Sequence, residues 1–212
     1  KSDAGKTAVW MLDGFSPKEI STEYVERIIN SETNTSSIYA YGLRVAGHLF
    51  YIVNLPTVDK TLVFDLEEGL WHEWQYGTGA IPFNFFTPMN TDVLLLHKSN
   101  GKIYKLSETT YSDFDKDITV SIVTTKYDFD SNKRKFIHKT EIVGDLNNSN
   151  IALSWTDDDY TTWSNVKTIS MVDRPYFMRG GYTRRRAFKL EHSSNVPLRL
   201  EFIELAYTLG NH

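Results

Sequence analysis

Residues 38–75 read IYAYGLRVAGHLFYIVNLPTVDKTLVFDLEEGLWHEWQ, and the spacing of their turns decides the fold. Four runs rich in β-branched and aromatic residues stand here: Ile38–Val45, His48–Asn54, Thr61–Leu66 and Leu70–Gln75. Ala46-Gly47 joins the first pair, Leu55-Pro56 ends the second run, and Glu67-Glu68-Gly69 joins the last pair. Such runs suit a pleated, half-buried surface, and connections this short make antiparallel hairpins. Four strands in about 40 residues is the dimension of one propeller blade. Trp71, seven residues beyond Phe64, also matches the aromatic–six–Trp spacing of kelch strands, although the kelch Gly-Gly is missing.

Downstream, Val93–His97 and Lys102–Leu106 flank the turn Ser99-Asn100-Gly101 and read as half of a following blade. One blade cannot cover both of its faces alone, so cover is expected from further blades or from neighbouring subunits. Upstream, the strand candidate Ala8–Leu12, the turn pair Asp13-Gly14 and Ser16-Pro17 precede one helix, about Ser21–Asn30. Ser21 is expected to cap it, and Glu23 suits its positive end. Tyr24, Val25, Ile28 and Ile29 recur at helical spacing and form one apolar face. Asn30–Ser37 reads as a loop.

The texture changes after Tyr111. Asp113, Asp115 and Asp117 form a polar joint, and a boundary is expected there between residues 1–112 and 113–212. Six strand candidates follow: Val120–Phe129, Lys135–Val143, Ile151–Trp155, Trp163–Ile169, Arg184–Glu191 and Leu198–Thr208. With turn clusters at Asn147–Asn150 and Ser193–Asn195, they read as an antiparallel sandwich. The expected fold class is therefore all-β. Propeller-like blades, incomplete in this chain, precede a β-sandwich, with one short helix near the N-terminus.

Composition narrows the function. The chain has 212 residues, Lys+Arg of 23 against Asp+Glu of 27, and a net charge of −4, which argues against non-specific duplex binding. The absence of cysteine excludes disulfides, zinc–thiolate sites and thiol catalysis. No apolar run reaches the roughly 18 residues of a membrane helix. The opening Lys1-Ser2-Asp3 lacks a Met and an apolar signal core, so the chain is expected to be a segment of a longer protein.

Thr156-Asp157-Asp158-Asp159-Tyr160-Thr161-Thr162-Trp163 is similar to the Asp-box, Ser/Thr-x-Asp-x-Gly-x-Thr-Trp, with Tyr160 at the glycine position. The expected role is structural: the Asp158 carboxylate accepts turn N–H groups, while Thr156, Thr162 and Trp163 brace the hairpin. Asp113-x-Asp115-x-Asp117 and Asp128-x-Asp130-x-Asn132 start like calcium loops. Ile118 and Lys133 occupy the position where such loops require glycine, so solvated turns are expected. The histidines at 48, 72, 97, 138, 192 and 212 show no paired metal-ligand spacing. Arg179, Arg184, Arg185 and Arg186 form the densest basic cluster, a candidate contact with an acidic partner or neighbouring subunit, with a plain solvated strand and a contact with DNA phosphates as the alternatives. Strand alternation would turn Arg185 away from Arg184 and Arg186. No phosphate-binding loop, nucleophile elbow or His-Glu-x-x-His motif is present, so no catalytic residue, metal or cofactor is assigned.

An ordered series of short stretches resembles the packaged-DNA stabilisation proteins of short-tailed bacteriophages, also called tail hub or head-closure proteins. The stretches are Ile20–Val25 with Ile28, Gly47–Tyr51 with Asn54–Pro56, Thr61–Asp65, Gly69–Glu73 and Gly101–Tyr104. Leu153–Asp158, Thr162–Ser164 and Arg184–Phe188 continue it through the closing sandwich. The similarity runs along nearly the whole chain and aligns it with the C-terminal part of longer members. It implies a virion tail protein without enzymatic activity, made in the host cytoplasm and assembled as a hexameric ring below the portal. The implied partners are the portal adaptor, a tailspike or tail fibre, and a tail needle or plug, with DNA passing through the channel without specific binding. Two alternatives are an Asp-box propeller glycosidase of sialidase type and a carbohydrate-binding module stacking sugars on Trp71, Trp74 and Tyr76. The first needs arginines and paired carboxylates in one pocket, whereas residues 1–112 hold only Arg27 and Arg44.

Overall fold

Ala46 and Gly47 turn the chain with φ of +50° and +88°. This is the paired left-handed geometry whose twist suits a two-residue hairpin. The computed structural model describes residues 7–114 and 116–210. The chain divides into two units, Lys1–Glu108 and Thr109–His212. The first contains β1 (Trp10–Asp13), β2 (Ser16–Glu19), α1 (Glu23–Ser31), β3 (Tyr39–Val45), β4 (His48–Leu55) and β5 (Lys60–Asp65). It continues with β6 (Leu70–Tyr76), β7 (Gly79–Ala80), β8 (Phe83–Met89), β9 (Asp92–His97) and β10 (Ile103–Lys105). Strands β3 to β7 form a five-stranded antiparallel meander, and β8 to β10 a three-stranded one. The sequence places no strand at β8; Pro88 hides it, and proline is tolerated there because β8 is an edge.

The meander does not cover itself: the helix lies on one face and the next sheet on the other. On one face α1 packs Val25 and Ile28 against Val53, Leu55 and Leu62. On the other, Leu43, Ile52 and Val63 pack against Phe86 and Val93 of the next sheet. Each fully buried aliphatic side chain contributes about 1.5–3 kcal/mol. Phe64 and Trp71 are direct cross-strand partners with ring centroids 5.1 Å apart. Trp71 Nε1 also donates to the Ile20 carbonyl at 2.7 Å, tying the segment before the helix to the sheet. The helix cap is Thr22, whose hydroxyl accepts the Val25 N–H, and not Ser21. Ser21 Oγ instead accepts the Val9 N–H and donates to Glu26, both at 3.0 Å.

The second unit contains β11 (Ser112–Asp113), β12 (Lys116–Asp117), β13 (Val120–Val123), β14 (Lys135–Gly144) and β15 (Asn150–Thr156). It ends with β16 (Lys167–Ser170), β17 (Tyr176–Thr183), β18 (Ala187–His192) and β19 (Leu200–Leu209). Sheet β13-β18-β15-β16 faces sheet β17-β14-β19 across a core of Ile142, Ile151, Leu153, Ile169, Met171, Phe188 and Leu190. The all-β reading, blades followed by an antiparallel sandwich, is therefore the observed architecture. Asp113 and Asp117 lie in the small β11–β12 pair, while Asp115 and His212 lie outside the described residues.

Three strands depart from expectation. The run from Val120 is a strand only to Val123, and the run from Trp163 becomes regular only at Lys167. Arg184 and Arg185 form a bend before β18, and Arg186 makes an isolated antiparallel bridge with Tyr127. β17 is additional, because a bulge at Arg179-Gly180 opposite His138 breaks the alternation that marks a strand.

Candidate functional site

β15 delivers Thr156 to the mouth of a tight turn. Asp158 Oδ1 accepts the Thr156 hydroxyl at 2.7 Å and the Thr162 N–H at 2.9 Å, while Oδ2 accepts the Thr162 hydroxyl at 2.5 Å. The Thr162 hydroxyl, the Thr162 N–H and the Thr156 hydroxyl together pull the Asp158 carboxyl down to about 2. Asp159 and Tyr160 both adopt left-handed φ, +61° and +69°. Tyr160 thus keeps the backbone conformation that glycine adopts freely, at a cost of about 1–2 kcal/mol. Its hydroxyl donates to the Thr124 carbonyl at 3.1 Å, and its ring lies 6.2 Å from that of Trp163. Trp163 is half-buried, with the Lys189 ammonium 5.4 Å from its ring centre.

The four arginines do different things. Arg186 is 1% exposed, donating Nε and Nη2 to the two oxygens of Asp157, each at 2.7 Å, and Nη1 to the Gly180 carbonyl at 2.6 Å. Its guanidinium lies 4.9 Å from the Trp155 ring centre, and that ring stacks on Phe177. Arg185 pairs with Asp159 at 2.7 Å, and Lys126 holds the same carboxylate at 2.8 Å. The Lys126 hydrogen bond, aided by the charge of Arg185, keeps Asp159 below its ordinary value. Arg184 donates to the Asn132 carbonyl at 2.8 Å, and its own carbonyl accepts the ammonium of buried Lys135 at 2.7 Å. Arg179 and Arg184 are exposed. The turn and the basic cluster are therefore one network: Asp157 and Asp159 face arginines, and Asp158 faces threonines. The sequence carried no sign of the Asp157–Arg186 link, which joins residues 29 apart.

One cluster of potential metal ligands lies in the first unit. His48, Asp65 and Glu68 bring donor atoms within 4.8 Å of one another, the group among the described residues suited to a metal ion. Asp65 already serves a turn: Oδ2 lies 2.6 Å from His48 Nδ1, and Oδ1 accepts the Glu67 N–H at 2.9 Å. Burial raises Asp65, yet the Glu67 N–H and His48 outweigh it and hold the carboxyl below its ordinary value.

These contacts weigh on the chemistry available. Each carboxylate of the Asp-box-like turn is already engaged by cations or hydroxyls, so the turn holds no acid–base pair across an open cleft. Trp71 belongs to the helix-side core, and Trp74 packs edge-on against Phe50 at 5.2 Å. Residues 1–111 match the family described as Bacteriophage P22 Gp10, beta-propeller. No curated protein matches the chain.

Proposed function

Because this chain belongs to the Bacteriophage P22 Gp10 beta-propeller family, a family of structural phage proteins, we propose that it is a tail hub subunit. In this reading copies form a closed, hexameric ring below the portal, retain the packaged DNA, and carry a tailspike or fibre and a needle or plug. The supporting observation is a row on the three-stranded sheet: Phe85, Leu96 and Ile103 are register partners, 58%, 43% and 66% exposed. A continuous apolar row on the outer face of a blade marks a surface built for another blade or subunit. Closed rotational symmetry suits a DNA channel, and the net charge of −4 lets DNA slide without adhering.

The test is sedimentation and electron microscopy of the full-length protein with adaptor-bearing particles, wild type against Leu96→Lys. A ring that the substitution disperses supports the reading, whereas a full-length protein that stays monomeric on particles ends it. A structural role also predicts no hydrolysis of a synthetic sialoside. Turnover lost on changing Asp157 or Asp158 would revive the glycosidase.

A further inference from the structure

The two sheets of the second unit are unequal, four strands against three. β13 is the edge of the larger sheet, β19 is the edge of the smaller, and together they flank a groove of about 720 Å³. Its apolar lining includes Ile122, Phe188, Leu190, Ile203 and Leu205, and its charged lining residues are Glu201 and Glu204. Among the described residues the outer edge of β19, 10 residues long, pairs with no strand. Ile122 and Phe202 beside it are 41% and 56% exposed.

We propose that this groove receives an extended strand of a different polypeptide, with apolar side chains at alternate positions and lysine or arginine at the end that lies beside Glu201 and Glu204. The strand adds to the free ladder of β19 and completes a four-on-four sandwich. This inference goes beyond the hub reading and stands without it. An open ladder is satisfied by backbone alone, which singles out an extended chain over a small apolar molecule or a helix. Alternation follows from strand geometry, since every second side chain would point at Phe188 and Leu190. The sign of that end follows from Glu201 and Glu204, both in the first half of β19. Arg199 pairs with Glu201 at 3.1 Å, and Glu204 has no ion-pair partner among the described residues. A second copy is the poorer occupant, because β19 against β19 brings the same acids to both sides.

The probe is a synthetic ten-residue peptide of alternating valine and threonine with two lysines at the end that meets Glu201 and Glu204. It is titrated into the isotope-labelled whole chain, followed by calorimetry and by amide hydrogen exchange. Saturable one-to-one binding that slows exchange at outward-facing β19 amides at least tenfold is expected. A peptide with glutamates at that end, and one N-methylated at alternate residues, should each bind at least tenfold more weakly. Ile122→Lys, an inward-pointing charge at the edge, should cause a similar loss with the thermal midpoint unchanged. Should that variant fail to fold, the double change Glu201→Lys/Glu204→Lys should reverse the preference between lysine and glutamate at that end. Absence of saturable binding, or equal binding of the N-methylated peptide, would overturn the proposal. Self-association of the chain that protects the same β19 amides without peptide would assign the groove to a second copy and overturn it equally.

Discussion

Arg186 and Asp157 form a two-pronged ion pair, Nε to Oδ1 and Nη2 to Oδ2, both 2.7 Å. The arginine side chain is 1% exposed and the aspartate 37%, so the cation is desolvated while its counter-ion still touches water. Because Asp157 follows β15 and Gly180 O belongs to β17, this guanidinium stitches the two sheets of the sandwich.

Removing the aspartate strands a buried charge. Asp157→Ala should cost about 3 kcal/mol, the lower end for breaking a buried pair because Asp157 is part-exposed. Arg186→Met combined with Asp157→Ala should be less damaging than Asp157→Ala alone. Denaturant unfolding of the whole chain measures both, and equal stability of the single variant and wild type would contradict the pairing.

Trp163 is half-buried, so Trp163→Ala should destabilise by about 2 kcal/mol, below the roughly 3–5 kcal/mol of a fully buried aromatic. An unchanged thermal midpoint would show that the contacts with Tyr160 and Lys189 contribute nothing.

Asp158 makes the turn sensitive to acid. Its carboxyl titrates at about 2 in the folded chain against an ordinary 3.8. A depressed folded value means that the stabilisation is present above about pH 4 and disappears as pH falls toward 2. Melting temperature against pH should fall across that window, and Asp158→Asn should flatten the fall. A variant with the wild-type slope would refute the assignment.

Gly180 sits where a side chain has no room. A Cβ there would lie 2.8 Å from Ile137 Cγ2, in a residue that is itself buried. Gly180→Ala should therefore cost about 1–3 kcal/mol as overpacking. A similar loss is expected in the tryptophan fluorescence transition, since Arg186 above Trp155 takes the Gly180 carbonyl.

The hairpins of the meander were legible from residues 38–75 because a strand of period two and its turn residues are local properties. Ala46-Gly47 and Glu67-Glu68-Gly69 mark the corners whatever the rest of the chain does. The helix was legible for the same reason, although its cap moved one residue, from Ser21 to Thr22, once Ser21 found Val9 and Glu26. β17 was hidden because its bulge at Arg179-Gly180 makes sense only against Ile137 of β14, which lies far away in sequence. The basic cluster shows the same limit. Four arginines of one type diverge into a buried stitch, a surface ion pair and two exposed side chains, according to which carboxylate or carbonyl the fold brings near. Local pattern encodes elements, since it needs only neighbours along the chain. Which charge is buried, which edge stays open and which apolar rows line up depend on register and on partners tens of residues away, and folding alone brings those together.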